Sequence, residues 1–108
     1  MDIENLIEQP EGQFLERKSC YDRSKGKVRL RPSREVARDI SEVLSAFANA
    51  DGGTLILGVE DDGEVTGVKY PLDKESILKN SYKQNIRPAL KSKIEILDWQ
   101  GKKLWVFQ

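Results

Sequence analysis

Histidine is absent from the sequence, and cysteine occurs once, at Cys20. Without histidine the chain has no Ser-His or Cys-His nucleophilic system, no imidazole general base and none of the common His-containing zinc sites. A single cysteine cannot form an internal disulfide, which fits a reducing compartment and predicts a cytoplasmic location. Any catalysis by this chain therefore has to use carboxylates, lysine, tyrosine or a metal held by oxygen ligands.

Long hydrophobic runs are also missing. The longest uncharged apolar run covers residues 55–59, far below the roughly 18 residues of a membrane span. The amino end carries Asp2, Glu4 and Glu8 instead of a basic segment followed by an apolar one, so no signal peptide is visible. The 108 residues are 38% apolar and 33% charged, which is typical of one small globular domain. We therefore expect a single domain over residues 1–108 that does not bind a membrane.

Positive and negative charges balance overall but are unevenly distributed. The chain has 18 basic and 18 acidic residues, so its net charge argues neither for nor against a polyanionic partner. Residues 17–34, however, contain eight basic side chains and a single acidic one, Asp22. A neutral protein can bind a polyanion through such a segment, whereas the simpler interpretation is a solvated surface loop.

Hydrophobic spacing and turn residues predict an alternation of helices and strands. The predicted helices cover residues 2–8, 34–49 and 74–86, and the predicted strands cover 13–18, 54–60, 64–68, 94–97 and 104–107. Residues 19–32 have almost no apolar side chains, so they are predicted to form an exposed, mobile loop. This order favours an α+β fold, in which two main helices pack on a mixed β-sheet. The chain stops directly after a strand, so we expect it to be the amino-terminal part of a longer protein.

The ends of the two main helices carry capping signals. Ser33 and Asp73 precede the apolar stripes and are good N-cap residues. Gly52 and Gly53 follow the first main helix, where glycine accepts a left-handed conformation without steric cost. We predict that this glycine pair is structural and that one of the two residues has a positive φ.

Three segments of the sequence together resemble one known family. Residues 14–19 (FLERKS) are similar to its opening strand, and residues 46–59 (AFANADGGTLILGV) are similar to its central helix end, glycine pair and buried strand. Residues 61–63 (DDG) match the hairpin turn that follows. The chain resembles the Schlafen AlbA-type domain over about residues 8–108. The residues of the structural motif in this resemblance are Asn49, Gly52, Gly53, Gly58, Gly63 and Gly67.

The resemblance implies an AlbA-like α+β fold and nucleic-acid binding, with DNA favoured over RNA. In bacteria the domain usually forms the amino end of transcriptional regulators or helicase-related proteins, which implies a further domain downstream. ATP is not expected, because no G-x-x-x-x-G-K-[ST] phosphate loop occurs: Val28 follows Gly26-Lys27, and Lys103 follows Gly101-Lys102. Binding of nucleic acid alone needs no cofactor.

Basic side chains are the candidate contacts to a phosphate backbone, because they neutralise phosphates and release condensed counterions. Most of them lie in residues 17–34. If this segment is an extended arm, its alternating basic residues could follow a groove of the nucleic-acid backbone. A second stripe recurs at four-residue steps on the last predicted helix, where a solvated helix face is an equally good interpretation. The candidate nucleic-acid-binding residues are Arg17, Lys18, Arg23, Lys25, Lys27, Arg29, Arg31, Arg34, Lys79, Lys83 and Arg87.

The resemblance also implies an alternative function, metal-dependent cleavage of RNA. Eukaryotic Schlafen proteins include RNA-cleaving members whose site consists of three carboxylates on this domain. Glu11 and Glu16 match the two that are five residues apart, and Glu60 or Asp61 matches the third, after the central strand. Carboxylates suit Mg²⁺ or Mn²⁺, although an acidic pair at this spacing also arises by chance in so acidic a chain. A third interpretation is a protein-interaction or dimerisation module, which would make the protein a homodimer.

Overall fold

Three helices and six strands form the part of the chain that the computed structural model describes, which comprises residues 3–12, 14–50, 52–85 and 93–108. The helices are α1 (Ile3–Glu8), α2 (Ser33–Asn49) and α3 (Leu72–Asn85). The strands are β1 (Leu15–Lys18), β2 (Tyr21–Asp22), β3 (Arg29–Leu30), β4 (Thr54–Leu57), β5 (Ile94–Trp99) and β6 (Lys102–Phe107). None of these described helices combines the length and the apolar character that a membrane crossing requires. The predicted α+β fold is confirmed.

Four of the strands form a mixed sheet in the order β1-β4-β6-β5. β1 and β4 run parallel, with Leu15 opposite Thr54, and α2 is the crossover that connects them. The β4-β6 and β6-β5 pairs are antiparallel. Gln100 and Gly101 both have positive φ and form the tight turn between β5 and β6, so both strands are longer than predicted. β4 is therefore an interior strand, which explains why its apolar side chains are buried.

Hydrophobic side chains pack on both faces of the four-stranded sheet. Leu55 and Leu57 of β4 join the larger cluster, which also contains the buried stripe of α2 and Leu78 of α3. Ile56, between them, points to the opposite face and joins a smaller cluster against which α1 packs. The two main helices thus cover one face, as predicted, and the short α1 covers part of the other.

Both main helices begin with a proline carbonyl instead of the predicted side-chain cap. Pro32 occupies the N-cap position of α2, and its carbonyl accepts the N–H three residues later at 3.0 Å. Pro71 does the same before α3 at 2.9 Å. Ser33 and Asp73 therefore lie inside the helices, and no side-chain hydrogen bond caps α2. The predicted caps were wrong because each proline moves the helix start one or two residues towards the amino end.

Four motif glycines, Gly52 and Gly58 among them, have backbone conformations that other residues rarely adopt. Gly52, just beyond α2, has a φ of +114°, which confirms the prediction for the glycine pair. Gly58 has a φ of +107°, and a Cβ at this position would lie 3.0 Å from Leu104 Cδ2 and 3.1 Å from the Cα of Gly67. The turn at Gly58 ends β4 at Leu57, whereas the sequence predicted a strand up to residue 60.

Residues 21–30 form a short antiparallel hairpin instead of the predicted loop, whereas the predicted exposure is confirmed for residues 23–30. Tyr21 pairs with Leu30, and Asp22 pairs with Arg29. The N–H of Arg31 donates to the carbonyl of Cys20 at 2.8 Å, which extends the pairing to the base of the hairpin. Backbone pairing and a few polar contacts give the segment an order that its low apolar content does not indicate. Residues 21–30 are called the basic hairpin below.

Candidate nucleic-acid interface

Asp22, the single acid of the basic segment, organises the tip of the basic hairpin. Its Oδ1 accepts hydrogen bonds from the N–H of Ser24 at 2.8 Å and from the hydroxyl of Ser24 at 2.6 Å. Its Oδ2 accepts a hydrogen bond from Arg29 Nη2 at 3.2 Å. This is an Asx turn closed by an ion pair. The turn presents two exposed lysines, Lys25 and Lys27, on either side of Gly26.

The Asx turn is expected to open in acid. The hydroxyl and the N–H of Ser24 lower the pKa of Asp22 to about 2, and Arg29 contributes further. Because the folded form has the lower pKa, the stabilising contribution of Asp22 is complete above about pH 4 and is lost as the pH falls towards about 2. NMR amide shifts of Ser24, followed from pH 6 to pH 2, will report this transition. The Asp22→Asn variant will show no such titration, and an Asp22 pKa near its ordinary value would contradict the contact.

Arg31 lies at the base of the hairpin and is committed to the fold. Its side chain is 16% exposed, and Nη2 lies 2.8 Å from Asp39 Oδ2 while Nε lies 3.1 Å from Glu35 Oε1. Nη1 also donates to the carbonyl of Ser19 at 2.9 Å. Burial by itself lowers the pKa of Arg31, but the hydrogen bonds and charges of Asp39 and Glu35 outweigh it and raise the pKa. Arg31 therefore joins the hairpin to α2 and is not free to bind phosphate.

Arg17 is also removed from the surface. Its side chain is 7% exposed, and Nη2 donates to the carbonyls of Ile7 at 2.7 Å and of Gln9. These carbonyls lie at the carboxyl end of α1, where helical carbonyls lack partners within the helix. The guanidinium thus holds α1 on β1, with Glu11 as a more distant partner at 3.9 Å.

Two further cations of the segment are paired with acids of the chain. Lys18 Nζ lies 3.6 Å from Glu16 Oε1 on the same strand. Arg29 is 67% exposed but pairs with Asp22 at 3.2 Å. Ion pairs this exposed are weak, so either cation can still exchange its carboxylate for another anion.

Arg23 lies among three carboxylates of residues 60–64, which we call the acidic turn. Its Nε lies 3.7 Å from Glu60 Oε1, and its Nη1 lies 3.9 Å from Asp62 Oδ2. Its Nη2 makes the closest ion pair, with Glu64. The acidic turn therefore neutralises a cation at the edge of the hairpin tip.

Glu60 is the buried member of the acidic turn, with a relative exposure of 9%. Its Oε2 accepts a hydrogen bond from the hydroxyl of Thr66 at 2.7 Å and another from the hydroxyl of Ser19. Ser19 in turn accepts the N–H of Tyr21 at 2.9 Å. Glu60 therefore links the hairpin base to the end of β4, and its oxygens are already occupied.

Within the basic hairpin and α2, fewer exposed cations lack a carboxylate partner than the sequence suggested. Lys25 and Lys27 at the hairpin tip are exposed, as are Arg34 and Arg38 on α2. None of these four makes an ion pair with another described residue. Arg38 was missed in the sequence analysis because the charge count stopped at Arg34. Arg38 lies four residues after Arg34, and each of the two directly precedes an acid that pairs with Arg31, Glu35 or Asp39. This spacing is the signal that would have found it.

The second basic stripe, predicted from Lys79, Lys83 and Arg87, lies only partly within the described residues. Lys79 is exposed, and its Nζ lies 5.5 Å from the ring centroid of Trp105, where it makes a cation-π contact. Lys83 lies on α3, and Arg87 is outside the described residues. Lys79 is therefore engaged with the sheet, and a continuous stripe stays a prediction.

Glu11 lies close enough to two other candidate catalytic carboxylates, Glu16 and Asp61, to be affected by their charges. The pKa of Glu11 is raised, first by burial and then by the negative charges of Glu16 and Asp61, whereas Arg17 opposes the shift. Glu60 differs, because its oxygens bind Ser19, Thr66 and Arg23. The approach of Glu16 to the end of the central strand stays a prediction.

The acidic neighbourhood does not meet the requirements of a metal centre. Within residues 3–12, 14–50, 52–85 and 93–108, no group of three or more Asp, Glu, Cys or His side chains is arranged to hold a metal ion. Mg²⁺ and Mn²⁺ need several oxygen ligands close together. The residues present therefore do not fit the divalent metal that the RNA-cleaving alternative would require.

The mixed sheet with two main helices on one face is an α+β fold, and the comparisons with known proteins agree with it. The family profile described as Schlafen, AlbA_2 matches residues 11–108. The chain belongs to this Schlafen AlbA_2 family. Among curated proteins none matches the sequence.

Two solved structures share the fold. The DIP2311 protein from Corynebacterium diphtheriae matches with a TM-score of 0.66 and 18% identity, over 97% of this chain and 24% of that one. The N-terminal domain of an ATP-dependent DNA helicase RecG-related protein from Nitrosomonas europaea matches with a TM-score of 0.58 and 23% identity, over 94% of this chain and 68% of that one. The chain thus spans about a quarter of the DIP2311 chain.

Proposed function

We propose that this domain binds the phosphate backbone of DNA through the hairpin tip and the exposed side of α2. The observation that carries the proposal is that four exposed cations of the hairpin tip and α2 make no ion pair with a described residue: Lys25, Lys27, Arg34 and Arg38. Two of them extend from a turn that Asp22 organises, and two lie four residues apart on a rigid helix. Cations held in this way lose little conformational freedom when they contact phosphates.

Membership of the Schlafen AlbA_2 family supports a nucleic-acid ligand, and the RecG-related neighbour supports DNA. The description of that protein links a domain of this fold to a protein related to a DNA helicase. By the same reasoning, we propose that this domain serves a transcriptional regulator or a helicase-related protein of a bacterium. The cations contact the sugar-phosphate backbone, so the binding is largely independent of sequence.

The Lys25→Gln/Lys27→Gln double variant is expected to weaken DNA binding and to lower its dependence on salt. With four phosphate contacts, log K should fall against log salt with a slope of about −3.6 for duplex DNA and about −2.8 for a single strand. Loss of two contacts should reduce the duplex slope to about −1.8. Fluorescence anisotropy with labelled duplex and single-stranded DNA, from 50 to 200 mM salt, measures both quantities.

A control variant separates local contacts from net charge. Lys69 and Lys93 are exposed and lie outside the hairpin and α2, so Lys69→Gln/Lys93→Gln removes the same charge elsewhere. Equal losses in the two double variants would mean that only long-range attraction acts, and the proposed interface would be wrong. The same samples, incubated with Mn²⁺ and an RNA hairpin and resolved on a denaturing gel, test cleavage.

A further inference from the structure

Arg23 is the one cation among the described residues that forms ion pairs with three carboxylates, all of them in the acidic turn. One guanidinium is approached by three carboxylates, those of Glu60, Asp62 and Glu64. Glu60 does not depend on this cation, because two hydroxyl groups already donate to its Oε2. Arg23 is therefore not needed to neutralise the buried Glu60, and Asp62 and Glu64 add two further negative charges around it.

The acidic turn is a rigid element that faces the hairpin. Asp62 Oδ1 accepts the N–H of Glu64 at 2.9 Å, and the N–H of Gly63 donates to the carbonyl of Glu60 at 2.9 Å. Asp62 and Glu64 are 68% and 55% exposed, so their carboxylates are hydrated on the side away from Arg23. Hydrated carboxylates give up an ion-pair partner at low cost, since exposed pairs contribute little to stability.

Arg23 itself lies where a phosphate contact would be useful. It precedes the turn that presents Lys25 and Lys27, and its side chain is 36% exposed. Several carboxylate oxygens surround its guanidinium, and phosphate oxygens can replace them as ion-pair partners of a guanidinium. We propose that the acidic turn is a built-in competitor that occupies Arg23 in place of a DNA phosphate and so limits the affinity of the interface.

This inference rests on the proposed function and adds regulation to the same surface. A phosphate backbone that binds Lys25 and Lys27 has to compete with Asp62 and Glu64 for the neighbouring guanidinium. Anything that removes negative charge from the acidic turn releases Arg23 for binding. Negative charge at this position also repels an approaching polyanion, which disfavours weak contacts.

The Asp62→Asn/Glu64→Gln double variant tests the competition. Asparagine keeps an oxygen that can accept the N–H of residue 64, so the turn is retained while its charge is removed. We expect duplex DNA to bind about three- to tenfold more tightly at 100 mM salt, and the salt slope to steepen by about 0.9, as one phosphate contact is gained. Asp73→Asn/Glu75→Gln is the matched control, since it removes the same two charges from the first turn of α3.

A double-mutant cycle with Arg23→Gln completes the test. If the acidic turn occupies Arg23, this substitution changes the affinity of the wild-type chain by less than about twofold but removes most of the gain in the Asp62→Asn/Glu64→Gln background. Melting temperatures confirm that all variants are folded. An equal effect of Arg23→Gln in both backgrounds, or a gain no larger than that of the control, would overturn the inference.

The outcomes also separate this inference from the proposed function. Wild-type binding that depends on Lys25 and Lys27, without a specific gain in Asp62→Asn/Glu64→Gln, overturns the competition alone. Absence of DNA binding in both the wild-type chain and Asp62→Asn/Glu64→Gln overturns the proposed function and the inference with it. Binding that emerges only in Asp62→Asn/Glu64→Gln supports the competition directly.

Discussion

Gly53→Ala is expected to lower the stability of the domain by about 2–3 kcal/mol, because it overpacks the core beside α2. A Cβ at residue 53 would lie 2.4 Å from Phe47 Cδ1, and two more atoms of the same ring would lie within 2.6 Å. The ring therefore has to shift away from residue 53. Beside it lies an open cavity of about 380 Å³, lined partly by Val43 and Ala46. A ring displaced into this cavity loses its packing against the sheet, so the melting temperature should fall by about 10 °C or more.

Two other glycines give matched controls for this prediction. Gly12 has open space where a Cβ would be and no positive φ, so Gly12→Ala should leave the melting temperature nearly unchanged. Gly52 has open space but a φ of +114°, so Gly52→Ala carries backbone strain alone, about 1–2 kcal/mol. Thermal unfolding followed by circular dichroism ranks the three variants. Equal melting temperatures for Gly53→Ala and Gly12→Ala would contradict the proposed clash.

The sequence predicts the fold well where local signals and tertiary packing agree. The apolar stripe of α2 recurs every three or four residues, and the helix forms where this spacing predicts it. The family motif identifies the glycine pair at 52–53, whereas the structure shows that its two glycines are needed for different reasons. One glycine has the positive φ, and the other leaves room for Phe47.

The basic segment was the main failure of the sequence analysis. Its composition indicates a loop, but its order depends on groups that are distant in the chain. The hydroxyl of Tyr70 donates to the carbonyl of Arg31 at 2.6 Å, across 39 residues. Glu60 and Glu64 approach Ser19 and Arg23 from the far end of β4. Spacing within a segment cannot reveal such partners, because they depend on which strands become neighbours.

The candidate site was predictable in its residue types but not in its membership. The charge count found the cations of residues 17–34, yet five of the eight, Lys18 among them, have carboxylate partners at 3.9 Å or less. Arg17 and Arg31 shape the fold, whereas Lys25 and Lys27 remain available. Net charge alone cannot separate structural cations from binding ones, since both kinds contribute equally to the count.

Arg31→Gln is expected to cost about 2–3 kcal/mol of folding stability and to weaken DNA binding as well. The substitution leaves Asp39 without its partner at 2.8 Å and removes the bond to the carbonyl of Ser19. Removal of one member of a buried ion pair costs about 3–5 kcal/mol, and the partial exposure of Glu35 and Asp39 reduces that figure here. The hairpin then has to be ordered during binding, at the expense of affinity.

Arg29→Gln is the matched control, because it removes the same charge two residues away on the same hairpin. Arg29 is 67% exposed and has a single carboxylate partner, Asp22, so its replacement should cost no more than about 0.5 kcal/mol. Urea unfolding gives both stabilities, and anisotropy with duplex DNA gives both affinities. Since the two variants have the same net charge, a larger loss of affinity in Arg31→Gln measures the contribution of hairpin order. Equal stabilities in the two variants would show that the contacts of Arg31 to α2 do not hold the hairpin in place.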